Sequence, residues 1–379
     1  MVFADVGGAA VSVRVEAIFL SFVVVTGMGG MVSLAQATFV TVGGVSAGWA
    51  LGHDWGIDVP GVASDGQLNF FLAMILGAGA AGLVGALMAL PITRLGGVSL
   101  ALGTLAFAFI AALVVFPLDS VGNDQAGWVI RAPTLDIPGV NQVVDLLVLG
   151  DQPVVDTSLL PVQILLFLAV FGVVTLGIHA FGRSASGRAI LAVRSSQVAA
   201  EACGIRADRA KVTVFALSAA IAGLGGVMLG LFSFGVNETT APPIVGLYWL
   251  ALAVTFGIRR PGGAILAGLA FAGGTMVLEW LGDALPGTVA TDLVTSVYFV
   301  PILSGLGAIR LAQEPDGLLS LAGQRRLAKQ RARRSAKLAR LDPTHTAAAA
   351  TVQTAGPPSS IDTGPDGDTG SDGDGGANA

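Results

Sequence analysis

Residues 68–92 read LNFFLAMILGAGAAGLVGALMALPI, an apolar run without a single Asp, Glu, Lys or Arg. A helix of about 20 such residues crosses the hydrocarbon core of a bilayer, which is roughly 30 Å thick. Eight other runs resemble it, so the predicted spans are Val13–Met31, Ser33–Leu51, Leu68–Ile92, Val98–Leu118, Leu159–Phe181, Lys211–Gly235, Pro242–Ile258, Gly262–Leu281 and Asp292–Leu311. The sequence predicts an all-α fold, a polytopic transmembrane helical bundle of about eight or nine spans.

The composition excludes the main soluble classes. Of 379 residues, 53% are hydrophobic and 12% are charged, whereas a soluble domain carries about 25% charged residues. A soluble enzyme and a nucleic-acid-binding module do not fit these proportions. The single cysteine, Cys203, excludes an internal disulfide scaffold. Residues 1–8 contain no basic leader, so we expect no cleaved signal peptide.

The charges between the runs predict the orientation, because cytoplasmic loops gather Lys and Arg. The segment 182–211 contains six Arg or Lys, Arg94 and the pair Arg259 and Arg260 lie in two other connections, and the tail from Gln324 is strongly basic. The alternate connections are acidic, including an outer loop at 119–158. Arginine also outnumbers lysine strongly, which indicates a GC-rich bacterial source. We therefore expect a multi-pass protein of the bacterial plasma membrane with a cytosolic C-terminus.

The alternation of basic and acidic connections puts the N-terminus outside the cell, which is unexpected without a signal sequence. Two explanations of this position remain open. The polar run Ser33–Leu51 is a broken helix that crosses only part of the membrane, or a helix that belongs before Met1 is missing from the chain.

The predicted transmembrane domain covers residues 1–320. A basic juxtamembrane segment follows at 321–340. Residues 341–379 are rich first in Thr, Pro and Ala and then in Asp and Gly, with almost no large apolar side chains. Such a composition cannot offset the entropy of ordering, so we expect a disordered tail.

The inner loop reads GRSASGRAILAVRSSQVAAEACGIRADRAK over residues 182–211. Its middle predicts one helix with Leu191, Val198, Ala202 and Ile205 on a common face, ended by Gly204 in a left-handed conformation. Thirty residues exceed what a connection needs, since most have about four to six. The segment is either an interfacial helix lying on the lipid or a docking helix for a cytosolic partner.

This loop resembles the coupling loop of ABC-importer permeases, and more narrowly that of branched-chain amino-acid permeases of the LivM type in the LivH/LivM family. The shared pattern is Gly-Arg-Ala-x-x-Ala-x-Arg followed by Ala-Ala-Glu-Ala-x-Gly-Ile. Residues 33–44 (SLAQATFVTVGG), 94–107 (RLGGVSLALGTLAF) and the small-residue stretch 211–230 are similar to further family motifs. The likeness spans about residues 15–320 in the family's order.

The resemblance implies a permease subunit of an ATP-driven importer for branched-chain or related hydrophobic amino acids. Its implied partners are cytosolic ABC ATPase subunits that carry ATP and Mg, an extracellular or periplasmic binding protein, and a second permease subunit (LivH-like) or a second copy of this chain. The implied residues that couple to the ATPase are Gly187, Arg188, Ala189, Ala192, Arg194, Ala199, Ala200, Glu201, Gly204 and Ile205.

We expect no enzymatic activity and no cofactor bound by the chain itself. None of its three lysines follows a glycine, so it lacks a Walker A phosphate loop. No nucleic-acid partner and no metal site are expected. Two departures from the family pattern leave the partner ATPase and the substrate open: Ser195, Ser196 and Gln197 replace the usual acidic residues, and the loop 255–263 differs. The alternative functions are a permease for urea or short amides, which resembles this family throughout, and a gradient-driven secondary transporter.

Polar side chains at membrane depth are candidates for a substrate path, because they are costly in lipid unless they have a partner or a function. These candidates are Gln36, Thr38, Thr41, Thr104 and Glu279. The first four can equally form bonds between helices, and Glu279 can reach the interface. The small residues Ala81 and Gly85 and the glycines at 223–230 predict close helix packing.

Overall fold

The computed structural model describes residues 16–56, 63–64, 67–92, 97–123, 126–131, 160–233, 235–237, 239–257, 262–269 and 271. The chain divides into two units, Met1–Leu321 and Ala322–Ala379, and all described residues belong to the first. Glu279, the predicted span Asp292–Leu311, the basic segment 321–340 and the tail 341–379 lie outside the described residues.

The described residues are almost entirely helical. The helices are α1 (Glu16–Met28), α2 (Gln36–Gly52), α3 (Phe70–Ile92), α4 (Val98–Ile110), α5 (Asp119–Gly122), α6 (Leu160–Arg183), α7 (Ala185–Ser195), α8 (Gln197–Ala202), α9 (Ala207–Phe232) and α10 (Pro243–Phe256). Residues 262–269 are also helical. The last turns of α1 are a π-helix, and a second π-helix, Ala111–Val115, continues α4.

One small antiparallel hairpin precedes α3. It pairs β1 (Ala63–Ser64) with β2 (Gln67–Leu68), with Ala63 opposite Leu68 and Ser64 opposite Gln67. The strands are two residues long and form no layer of their own. The structure confirms the predicted all-α transmembrane bundle.

Helix α9 lies at the centre of the bundle. In its apolar window 61% of the residues are buried, against 28% for α3, 22% for the extended α4 and 17% for α6. These four are the described helices that are long and apolar enough to cross a membrane. Helices α2 and α3 pack most extensively against α9, and α3, α4 and α6 leave much of their own apolar surface facing outward.

Glycines let α2, α3 and α9 meet backbone to backbone. A Cβ on Gly226 would overlap the carbonyl group of Val40, and a Cβ on Gly43 would overlap the backbone of Gly223. A Cβ on Gly77 of α3 would lie 2.5 Å from the carbonyl oxygen of Gly43. Apolar lipid gives helices no hydrophobic reason to associate, so such close approach supplies the packing energy. The close packing predicted for Gly85 and for the glycines at 223–230 is confirmed, and Gly43 and Gly77 pack in the same way.

Large apolar side chains cover the outside of the bundle. Ile75, Leu83 and Leu87 are exposed along α3, and Val173 and Leu176 are exposed on α6. A water-soluble monomer rarely exposes contiguous apolar surface of this extent. The surface is suited to lipid or to another apolar membrane subunit.

Candidate functional site

The loop 182–211 folds into a short arm that we define as residues 184–206, containing α7 and α8. Ser184 caps α7: its hydroxyl accepts a hydrogen bond from the Gly187 amide at 3.1 Å and donates to the Phe181 carbonyl at 2.6 Å. A Cβ on Gly187 would overlap that same carbonyl group. The Arg188 guanidinium donates to the carbonyl oxygen of Arg183. The arm therefore begins with a tight turn that fixes α7 against the end of α6.

Arg194 connects the arm to α1. Its guanidinium donates to the carbonyl oxygen of Gly27. A Cβ on Gly30, which has a φ of +69°, would lie 2.9 Å from the Arg194 Cγ atom. A cation is favoured at the C-terminal end of a helix, where carbonyl groups have no partner in the helix itself. The end of α1 and the arm are thus held together by a charged residue of the predicted coupling motif.

The arm contains two helices, and the prediction of one continuous helix is wrong. Ser196 is extended, with φ −160° and ψ 112°, and its hydroxyl accepts from the Ala199 amide at 3.3 Å. Serine is a preferred N-cap, so the Ser195-Ser196 pair was the available signal for a new helix start. Two residues of the predicted apolar face are not buried within the chain, since Leu191 is 43% exposed and Val198 is 79% exposed.

The buried side of the arm has a small core of its own. Val193 and Ala200 pack there with Ala207, and Ala192 and Ile205 contact the same cluster. Gly204 ends α8 with a φ of +81° and no atom within 4 Å of where a Cβ would stand. The left-handed ending predicted for Gly204 is confirmed, and its glycine is required by backbone conformation rather than by space.

A polar chain ties α8 to α9. Gln197 donates to the Glu201 carboxylate at 2.9 Å, and the Lys211 ammonium donates to the Gln197 side-chain oxygen at 3.0 Å. The predicted coupling residue Glu201 is therefore exposed and bonded within the arm. Through Lys211 the arm contacts the helix at the centre of the bundle.

A groove of about 240 Å³ runs between α7 and the start of α9. Ala189 lines one side, and Gly204, Arg206 and Arg209 line the other. Both arginines are exposed. The groove offers positive charge beside a small-residue wall, which suits an acidic group on a partner.

A buried polar junction joins α1, α2 and α9. Gln36 donates to the Ser218 hydroxyl at 3.0 Å, and Ser218 donates to the Ser21 carbonyl at 2.8 Å. The Ser21 hydroxyl lies 3.1 Å from the Gln36 side-chain oxygen and 2.6 Å from the Ile18 carbonyl, so its single proton serves one of them at a time. The Ser21, Gln36 and Ser218 side chains are completely buried. Ser218 lies near the middle of α9, so α2 begins at that depth.

The other predicted path residues are buried as well. Thr104 accepts from the Leu34 amide at 3.0 Å and donates to the Ala101 carbonyl at 2.8 Å, which ties α4 to the segment before α2. Thr41 donates to the Ala37 carbonyl at 3.2 Å within α2, and Thr38 is 1% exposed. These contacts connect helices and turns of the chain itself. A role in substrate passage stays a prediction for all of them.

A second cavity lies at the other end of the bundle. It has a volume of about 420 Å³ and lies between α2, α3 and α5. Trp49, Trp55 and Trp128 line it, so three of the chain's five tryptophans meet at one place. His53 stacks on Trp49 with ring centres 5.4 Å apart. We call this cavity the tryptophan pocket.

The family follows from one comparison. A family model described as "Branched-chain amino acid transport system / permease component" matches residues 12–303. This range covers more than half of the 379 residues. The chain belongs to this permease family. Searches among curated proteins and among solved structures find no match.

The permease is therefore a membrane transport component, and the resemblance seen in the sequence motifs is confirmed. The arm lies inside the matched range, as do the polar junction and the tryptophan pocket. The sequence interpretation missed Ser21, Ser218 and the three tryptophans. Their signal was weak, since each is an isolated residue that only the packing of distant segments brings to its partners.

Proposed function

We propose that this permease is the membrane-spanning subunit of an ATP-driven importer for branched-chain or related hydrophobic amino acids in a bacterial plasma membrane. The arm is the site at which a cytosolic ATPase docks, and the C-terminus lies on the same side. ATP and Mg are bound by the ATPase. Membership of the permease family supports the transport role, and the construction of the arm supports the coupling role.

The observation that carries the proposal is that one side of the arm is fixed to the bundle while the other side exposes apolar side chains. Its inner side is fixed to three helices: to α6 through Gly187, to α1 through Arg194, and to α9 through Lys211. Its outer side exposes Leu191 and Val198. An exposed apolar side chain on a rigid support is suited to bury itself in a partner, where buried anchors contribute most of the binding energy.

The arm also has a physical route into the membrane region. A displacement of α7 moves α1, because Arg194 is bonded to the end of that helix. Helix α1 is in turn joined to α2 and α9 through Ser21, Gln36 and Ser218. An ATPase that pulls on the arm therefore acts on the three helices that share the polar junction. Coupling by this route requires the polar junction to alternate between two arrangements.

The surface chemistry indicates what each partner presents. Arg188, Arg206 and Arg209 are exposed around the arm, so the ATPase should offer acidic groups around an apolar pocket for Val198. The exposed apolar faces of α3 and α6 suit a second permease subunit, LivH-like or another copy, as well as lipid. A binding protein delivers solute at the opposite end of the bundle.

The test is ATP-driven uptake by the intact complex. The permease is purified with its ATPase from native membranes and reconstituted with ATP inside the vesicles and the binding protein outside. Val198→Asp buries a charge in the proposed interface and should lower radiolabelled leucine uptake by at least about tenfold, the loss expected for a hot-spot residue. Val198→Ile, which keeps a branched apolar side chain, is the matched control and should transport within about threefold.

Three outcomes would contradict the proposal. Normal uptake by Val198→Asp, with the ATPase still bound, would remove the docking role of the arm. Leucine uptake without ATP that collapses with a proton ionophore would identify a gradient-driven transporter. ATP-driven uptake of urea or acetamide but not of leucine would replace the substrate class.

A further inference from the structure

The tryptophan pocket has walls that are fixed by the protein itself. The Trp55 indole N–H donates to the Ala50 carbonyl at 3.0 Å, and the Trp128 indole N–H donates to the Val121 carbonyl at 2.8 Å. The backbone of Trp128 also pairs with Val236, just beyond the end of α9. Because these indole donors are already used, the rings offer the pocket their apolar faces.

The remaining lining is apolar with two exceptions. Val45, Leu76 and Ala80 contribute aliphatic surface, and only Ser46 and Ser120 contribute hydroxyl groups. The volume of about 420 Å³ lies near the lower end of the roughly 300–1,000 Å³ typical of small-molecule sites. A site of this size and chemistry fits one small apolar group.

The pocket lies at the end of the bundle opposite the arm. Helix α9 starts beside the arm at Ala207 and ends at Phe232, close to Val236, whose backbone pairs with Trp128. Trp55, Ser120 and Trp128 lie outside the long helices, in segments that follow their ends. The pocket therefore extends to the connecting segments at this end of the bundle, where a solute arriving from water would enter.

We propose that the tryptophan pocket receives the apolar side chain of the transported solute on the side opposite the ATPase. This inference rests on the proposed function and deepens it. The solute is an amino acid with a branched aliphatic side chain, which inserts among the rings while its charged ammonium and carboxylate groups stay at the hydrated mouth. Urea and short amides are disfavoured, because most of their hydrogen-bonding groups would be left unpaired among indole faces.

A pocket-filling variant tests the proposal in the complete complex. Ala80→Trp adds an indole inside the pocket and should lower leucine uptake by at least about tenfold, since a hydrophobic site discriminates strongly against lost volume. Val173→Trp adds the same group to the exposed side of α6, which contributes no residue to the pocket lining, and should leave uptake within about twofold. Co-purification of the ATPase and its basal ATP hydrolysis, measured for both variants, verify that the complex is intact.

A binding measurement keeps the inference testable if Ala80→Trp does not assemble. The wild-type permease in nanodiscs is titrated with leucine while its intrinsic tryptophan fluorescence is recorded, with acetamide as the polar control. Leucine should change the emission saturably and acetamide should not. The saturable change should be lost in Trp128→Leu.

The outcomes separate this inference from the proposed function. ATP-driven leucine uptake that Ala80→Trp leaves unchanged would overturn the pocket and leave the importer intact. Absence of ATP-driven uptake in the wild type would overturn the importer, and the leucine titration would still report on the pocket. Quenching of the emission by brominated acyl chains, unaffected by leucine, would identify a lipid chain as the occupant and overturn the proposal.

Discussion

The arm and the junction of α2, α3 and α9 are both rich in glycine and alanine, yet these residues do different work in the two regions. At the helix junction, Gly43 and Gly226 are present because another backbone occupies the space of a side chain. In the arm, Gly204 has open space around it and is present because its φ is +81°. At the helix junction a side chain is excluded by the neighbouring backbone, whereas in the arm glycine is needed for a left-handed backbone conformation.

The two regions also differ in how their polar groups are arranged. At the helix junction, Gln36 of α2 and Ser218 of α9 are fully buried and bonded to each other. In the arm, Glu201 and Arg206 are exposed. A change at the helix junction should therefore affect stability first, whereas a change on the arm should affect transport first.

The largest effect on stability is expected at the closest helix contact. Gly226→Ala places a Cβ against the Val40 carbonyl and should destabilise the protein by about 3 kcal/mol, in the upper range for overpacking. Gly79→Ala is the matched control, because no atom lies within 4 Å of its added Cβ. That change should be neutral or stabilising by up to about 1 kcal/mol. Thermal unfolding in detergent, followed by tryptophan fluorescence, measures both, and equal melting temperatures would refute the packing role.

An intermediate effect is expected in the polar junction. Ser218→Ala removes the acceptor of the Gln36 amide and should lower stability by about 2 kcal/mol, because a buried donor is left without a partner. Gln36→Leu should be milder, since the Ser21 and Ser218 hydroxyls each keep a carbonyl acceptor. The same unfolding assay ranks the two variants. The reverse order would show that the amide, rather than the serine, carries the junction.

A smaller effect is expected at the end of α8. Gly204→Ala forces a Cβ into a left-handed conformation and should cost about 1 kcal/mol. Gly204→Asn should be less harmful, because asparagine tolerates this region better. Uptake should fall more in the alanine variant than in the asparagine variant, while membrane levels stay close to wild type. Identical uptake in both would mean that the conformation of this residue does not matter for coupling.

Helix positions could be predicted from hydropathy with small errors. The run Leu68–Ile92 became α3, Phe70–Ile92. The run Lys211–Gly235 became α9, Ala207–Phe232, which starts four residues earlier. Hydropathy marks the part of a helix that suits lipid, and the first turn of α9 contains Asp208 and Arg209, which do not. The four residues before Lys211 are therefore helical but do not belong to the part of α9 that suits lipid.

The site could be predicted only in part. The motif identified the arm, and glycine chemistry predicted the ending at Gly204. The break at Ser196 was missed because alanines on both sides favour helix, and the capping serine decides only a single position. The polar junction unites residues 21, 36 and 218, and the tryptophan pocket unites residues 49, 55 and 128. Such contacts depend on how distant segments pack against each other. The periodicity within one segment contains no information about that packing.

The most direct test of the coupling role uses the chain's single cysteine. Cys203 is exposed at the end of α8, inside the arm, so one thiol reports on the proposed docking surface without any substitution. Inside-out membrane vesicles are treated with a membrane-impermeant maleimide, with the ATPase bound or stripped away. We predict slow labelling of Cys203 when the ATPase is bound and fast labelling when it is removed. Equal labelling in both states would contradict docking at the arm, and labelling only in right-side-out vesicles would contradict the orientation as well.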